Sequence, residues 1–71
     1  MNMVEIFKTN VEKISESKIL LQKLSKHFPK HKINFDLNDC DKILRVQGKN
    51  ISSEKIIQLL IKENYQCKVL E

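Results

Sequence analysis

Two cysteines are the residues of this chain whose chemistry most readily serves a metal or a reaction. Cys40 lies between Asp39 and Asp41 in a segment typical of a turn, and one thiolate beside two carboxylates is a conceivable metal site. Cys67 lies in an alternating apolar stretch near the end of the chain, the pattern of a small buried hydrophobe. The two are 27 positions apart and form no Cys-x-x-Cys, so we expect two free thiols.

Two histidines have a spacing that can bind zinc on a single helix. His27 and His31 are four positions apart, but Pro29 lies between them and ends a helix, since it disfavours a helical residue before it. We expect both side chains to complement the negative end of the helix dipole rather than to share a metal ion.

Nothing else in the sequence converges on catalysis. There is no Gly-rich phosphate loop, no nucleophile with a plausible base and no carboxylate pair outside the predicted turn. We therefore expect neither an enzyme nor a cofactor. The net charge of +4 comes from 13 basic residues against 9 acidic ones, and 12 of the 13 are scattered lysines. Arg45 alone can make planar bidentate contacts, so the charge is typical of a solvated surface rather than of nucleic-acid binding.

The elements that position these residues follow from apolar spacing. Strands are predicted at Met3 to Thr9, Ile33 to Leu37, Ile43 to Gln47 and Tyr65 to Leu70. A first helix, capped by Ser15 or Ser17, carries Leu20, Leu21, Leu24 and Phe28. A second, capped by Ser52 or Ser53 and ended by Asn64, carries Ile56, Ile57, Leu59, Leu60 and Ile61.

The order β-α-β-β-α-β predicts one α+β domain over residues 1–71. Right-handed crossovers give a ferredoxin-like sandwich, an antiparallel four-stranded sheet in the order 4-1-3-2 with both helices on one face. No run approaches the roughly 20 apolar residues that span a bilayer, and the first residues do not form a signal peptide. We expect a cytoplasmic location and no membrane contact.

The second half of the chain resembles a known family. The segments Leu44-Arg45-Val46-Gln47-Gly48, Ile51 to Ile57 and Glu63-Asn64-Tyr65-Gln66-Cys67-Lys68-Val69 are similar to heavy-metal-associated domains, the family of soluble copper chaperones. Those domains hold a soft ion on Gly-Met-x-Cys-x-x-Cys between the first strand and helix. Here Lys13 and Glu16 stand where the cysteines would be. The resemblance therefore implies the fold with a degenerate metal loop and no bound metal.

These observations predict a small interaction module that binds a protein partner or a second copy of itself. The apolar excess of the second helix favours a homodimer. The sheet face away from the helices should present the interaction residues Asn34, Asp36, Arg45, Gln47 and Lys68. One alternative is a non-standard metal or metal-trafficking protein using Cys40 with Asp39 and Asp41. Another is weak RNA binding, for which Phe7 would supply one stacking aromatic if Val4 and Ile6 pointed inward.

Overall fold

The computed structural model describes residues 2–70, which form four strands and two helices in the predicted order. These are β1 (Met3–Thr9), α1 (Ile14–His27), β2 (Lys32–Asp36), β3 (Ile43–Gly48), α2 (Ser53–Lys62) and β4 (Cys67–Val69). All neighbouring strands are antiparallel and lie in the order β2-β3-β1-β4, which is the predicted 4-1-3-2 read from the other edge. The predicted α+β fold is confirmed.

One hydrophobic core joins the sheet to both helices. Phe7 from β1 and Leu44 and Val46 from β3 are fully buried against Leu24 of α1 and, from α2, Ile56 and Leu60. Because side chains alternate along a strand, this contact fixes which face of the sheet the helices cover. The opposite side of the sheet, which carries no helix, is called the uncovered face below.

The first helix begins two to four residues earlier than the predicted serine caps, Ser15 or Ser17, imply. Its N-cap is Lys13, whose backbone N–H donates to the Glu16 carboxylate at 3.3 Å, while Ser17 Oγ donates to the Ile14 carbonyl at 2.7 Å. The prediction of a Ser15 or Ser17 cap was wrong because a carboxylate three residues into a helix can satisfy the cap N–H itself. The helix ends at His27, two residues before Pro29, as expected.

The second helix has both predicted ends. Ser52 Oγ accepts the Lys55 N–H at 3.3 Å, which caps the first turn. Asn64 takes a left-handed conformation (φ 73°), with its own N–H on the Ile61 carbonyl and the Tyr65 N–H on the Leu60 carbonyl. This pair of bonds is the Schellman motif, so an asparagine does here what glycine commonly does.

Three strands differ from their predicted bounds. β2 lies one residue earlier than predicted, and β4 keeps only three of six predicted residues because Gln66 N–H bonds the Asn10 side chain (2.8 Å) instead of a strand. β3 extends one residue further than predicted and includes Gly48 as its last residue. Gly48 lies against the His31 ring, where a Cβ would come 2.5 Å from Nδ1. In residues 2–70, no helix has the length and apolar character needed to cross a bilayer.

Candidate interaction surface

The uncovered face is a continuous surface across four strands, and the strand registers place its side chains in rows. Residues paired across two strands point to the same side, so Ile6, Arg45 and Asn34 share one row and Val4, Gln47 and Lys32 the next. A third row contains Asp36, Ile43, Lys8 and Lys68. The sequence-predicted interaction residues Asn34, Asp36, Arg45, Gln47 and Lys68 all lie on this face.

An apolar area that the sequence did not predict lies on the β1 and β4 half of the uncovered face. Val4 is 52 % exposed, Leu70 is 38 % exposed, and Ile6 is half-buried. Leu70 lies beside Ile6, because its N–H donates to the Ile6 carbonyl at 2.8 Å. The sequence of β1 allows either Val4 and Ile6 or Phe7 to point toward the helices. Phe7, the largest of these side chains, takes the helix side and fills the core, so Val4 and Ile6 point to the uncovered face.

This orientation removes the stacking residue of the RNA alternative. The condition that Val4 and Ile6 point inward is not met, and Phe7 is fully buried on the helix side. Among residues 2–70 the uncovered face has no aromatic side chain from its strands. RNA-binding sheets of this topology depend on such aromatics.

The charge of the uncovered face is predominantly basic. Among the described strand residues, four basic side chains and the one carboxylate of Asp36 point to this side; the basic ones are Lys8, Lys32, Arg45 and Lys68. Lys8 Nζ forms an ion pair with Asp41 at 3.5 Å, at the end of the sheet. Arg45 Nη1 contacts Asn34 Oδ1 at 3.4 Å in the middle of the face, so this guanidinium is held by a neutral partner and keeps its charge available.

Lys13 and Glu16, which the resemblance aligns with the cysteines of heavy-metal-associated domains, lie together at the start of α1. Lys13 is exposed and Glu16 is half-buried, with its carboxylate on the Lys13 N–H. Desolvation, a hydrogen bond to Glu16 and the negative charges of Glu16 and Glu63 raise the pKa of Tyr65 above its ordinary value. An ammonium group and one carboxylate engaged with an N–H and a phenol do not make a site for a soft ion.

The turn between β2 and β3 holds the rival metal candidate. One ligand atom each of Asp39, Cys40 and Asp41 lies within 4.8 Å of the others, and Cys40 is exposed. The carboxylates already have partners, since Asp39 Oδ1 accepts the Asp41 N–H at 2.8 Å and Asp41 pairs with Lys8. The turn is thus ordered by its own polar groups, and an ion there competes with these contacts.

Cys67 is a packing residue in this structure. Its side chain lies against the hydrophobic core, and burial raises the pKa of the thiol from 9.0 to about 12. Such a thiol stays protonated and unreactive near neutral pH. Both cysteines are free, as expected.

The histidines do not come together as ligands. His27 Nδ1 lies 2.9 Å from the Lys23 carbonyl in the last turn of α1. The His31 ring instead stacks on Phe28 (centroids 5.7 Å apart, planes at 3°), and its buried Nδ1 has no hydrogen-bond partner among residues 2–70. The expectation that His31 would serve the helix dipole was wrong, because stacking on Phe28 and contact with Gly48 turn it toward the β3 end.

The second helix buries less of its apolar surface than its composition offers. Ile56 and Leu60 are fully buried, Ile57 and Leu59 pack partly against the core, and Ile61 remains 57 % exposed.

The chain was also compared with models of protein families, with curated proteins and with solved structures, and none of these comparisons found a match.

Proposed function

We propose that this chain is a small non-enzymatic interaction module that binds a protein partner through the uncovered face of its sheet. The observation that carries the proposal is the composition of that face. It has an exposed apolar area of Val4 and Leu70, with Ile6 half-buried between them, beside the only arginine of the chain, Arg45. The buried centre of a protein interface is more apolar than the rest of the surface, and arginine is enriched both in interfaces and among their energetically dominant residues.

The charge of the face specifies the chemistry of the partner. Among the strand residues of this face four side chains are basic and one is acidic, and of the basic ones Lys8 already pairs with Asp41. The other three favour a partner surface that is acidic around an apolar centre. The same basic charge serves RNA equally well, but the burial of Phe7 removes base stacking and so supports a protein. We place the module in the cytoplasm, where two free thiols remain reduced.

In this proposal the module is a heavy-metal-associated type of domain that no longer handles metal. The loop that carries the cysteines in that family has Lys13 and Glu16 in this chain, and Glu16 is engaged in closing the first turn of α1. The Cys40 turn gives the rival function, metal binding, a specific observation in its favour, namely three potential ligand atoms within 4.8 Å.

Site-specific photo-crosslinking tests the proposed surface. A photoreactive phenylalanine replaces Gln47, which is exposed on the uncovered face, in cells that express the chain. We expect a discrete adduct with a partner of acidic surface. Val4→Asp and Arg45→Glu, each introduced beside the probe, should reduce the yield of the adduct by about tenfold, since each removes a central contact.

The matched control places the same probe at Gln22, which is exposed on the opposite side of the molecule in α1. Equal adducts from both positions, no adduct from Gln47, or adducts that survive both substitutions would each contradict the proposal. Adducts between two copies of the chain are distinguished by their mass.

A further inference from the structure

We propose that the free edge of β2 pairs with the β2 edge of a second copy, antiparallel and centred on Asn34, so that two chains form one continuous sheet. This inference concerns self-association and does not rest on the proposed partner of the uncovered face. Three features of β2 support such a homodimer: backbone groups that point outward, the opposite charges of Lys32 and Asp36, and an apolar groove beside the strand.

The backbone groups of β2 that face outward are identified by the pairing of the sheet. Leu70 N–H donates to the Ile6 carbonyl, so even-numbered residues of β1 point their backbone groups to β4 and odd-numbered ones to β3. In β3 the even-numbered residues therefore bond β1, and the odd-numbered residues direct their backbone groups to β2. Their partners in β2 are Lys32, Asn34 and Asp36, whose backbone N–H and C=O groups point toward β3. The N–H and C=O groups of Ile33 and Phe35 therefore point outward, and β2 pairs only with β3 within residues 2–70.

A two-fold axis at Asn34 matches these outward groups to themselves. Ile33 of one chain then lies opposite Phe35 of the other, and each of the two such pairs exchanges two backbone hydrogen bonds. Pairing of edges in this way is the ordinary mode of β-augmentation. The edge strand Lys32–Asp36 has five residues and contains no proline, so the backbone groups of the strand can pair in this way.

The side chains of β2 are self-complementary in this register. On the uncovered face, Lys32 of each chain lies opposite Asp36 of the other, and the two Asn34 amides face one another at the axis. On the helix side, the half-buried Ile33 and Phe35 of the two chains form apolar cross-strand pairs. Opposite charges and aromatic–aliphatic pairs are the favourable cross-strand combinations.

An apolar groove runs beside this edge. It lies between α1 and β2, and its apolar lining includes Ile14, Leu21, Phe35 and Leu37. Ile14 is 67 % exposed in the single chain. When two sheets join edge to edge, their covering helices come side by side, so the second copy is expected to cover this groove as well.

The other edge of the sheet, formed by β4, is unfavourable for the same kind of pairing. β4 has three residues, and Lys68 is the middle one. In a two-fold pairing centred there, the two Lys68 side chains would lie opposite one another, an arrangement that destabilises a strand pair. A short strand with a central lysine is typical of an edge protected against association.

Charge reversal combined with mixing tests the register. Lys32→Asp alone and Asp36→Lys alone each place like charges opposite one another, and we expect the dissociation constant of the dimer to rise by about tenfold or more. The 1:1 mixture of the two variants restores both opposite-charge pairs, so heterodimers should form at near wild-type affinity. Analytical ultracentrifugation gives the affinities, and native mass spectrometry with one variant isotope-labelled counts the heterodimers.

Lys68→Asp is the matched control, because it changes the net charge as Lys32→Asp does but lies on the β4 edge. Its dissociation constant should equal that of the wild type. The Lys32→Asp variant also keeps the bond from the Asn38 N–H to Asp36 Oδ1 (3.2 Å), so its effect does not depend on a disturbed turn. A wild type that stays monomeric at millimolar concentration overturns the proposal. So does a dimer insensitive to both variants, a mixture without preferential heterodimers, or equal weakening by Lys68→Asp.

Discussion

Among individual residues, Gly48 and His31 make a contact that leaves no room for a side chain at position 48. A Cβ at Gly48 would lie 2.5 Å from Nδ1 of His31 and 3.2 Å from two carbons of the same ring. The ring also stacks on Phe28, so that moving it away from a Cβ at position 48 would break this stacking contact. The absence of a side chain at position 48 is therefore a packing requirement and not a conformational one, since no glycine in the described chain has a positive φ.

We predict that Gly48→Ala destabilises the fold by about 1–3 kcal/mol, the usual range for overpacking a filled site. Urea unfolding measures the effect. The same substitution in a His31→Ala background removes the clash, and it should then be neutral or stabilising because alanine restricts the unfolded chain more than glycine does. An equal destabilisation in both backgrounds contradicts the proposed contact, since a double-mutant cycle would then show no coupling.

The sequence does not predict this contact. Its pattern ends the third strand at Gln47, before Gly48, because glycine disfavours strands, and it assigns His31 to the end of the first helix because Pro29 follows that helix. Their contact joins residues 17 positions apart through the return of the chain. Local propensity contains no information on such a contact, so only the packed structure could identify it.

At the scale of the element, features written in local sequence were predictable. β1 has its predicted bounds, and α2 has its Ser52 cap and Asn64 end, because each depends on a few adjacent residues. The predictions that were wrong concern positions where two local structures compete. The α1 cap is one, where Glu16 satisfies the Lys13 N–H without a serine. The face of β1 is another, where the core accepts Phe7 in place of Val4 and Ile6.

The two helix starts give a prediction with an internal control. Ser52→Ala removes the oxygen that accepts the Lys55 N–H and should lower stability by about 1 kcal/mol. Ser15→Ala, in the exposed first turn of α1, should be neutral or slightly stabilising, because alanine has the higher helix propensity and Ser15 is not the cap. Both are measured by chemical denaturation. A loss of stability from Ser15→Ala as large as that from Ser52→Ala would show that the cap assignment of α1 is wrong.

At the scale of the whole molecule, the topology gathers three loops at one end. The loop after β1 contacts the β2–β3 turn through the bond from the Thr9 N–H to the Asp41 carbonyl (3.1 Å). It contacts the start of β4 through the bond from the Gln66 N–H to Asn10 Oδ1 (2.8 Å). The loop that contains Lys13 and the Cys40 turn are thus at the same end of the sheet. This placement follows from the predicted strand order, but the sequence could not predict that the carboxylates there have partners.

This arrangement leads to opposite predictions for the wild type and for a chain with its loop restored. We expect the reduced wild type to retain no stoichiometric Cu(I) or Zn(II) in native mass spectrometry, since Asp39, Asp41 and Glu16 are engaged in the protein's own contacts. Replacing Lys13 and Glu16 by cysteine creates Cys-x-x-Cys at the N-terminus of α1, and this variant should retain one Cu(I) ion.

The comparison variant places cysteines at Ser52 and Lys55, the same spacing at the start of α2. It should hold Cu(I) more weakly if the proposed resemblance is right, because only the start of α1 corresponds to the metal loop of the domains that the chain resembles. Equal retention by the two variants would reduce the result to a general property of helix N-termini. No retention by the Lys13 and Glu16 variant would remove the support for a degenerate metal loop. One ion held by the wild type and lost with Cys40→Ser would instead establish the turn as the working site and replace the interaction module by a metal protein.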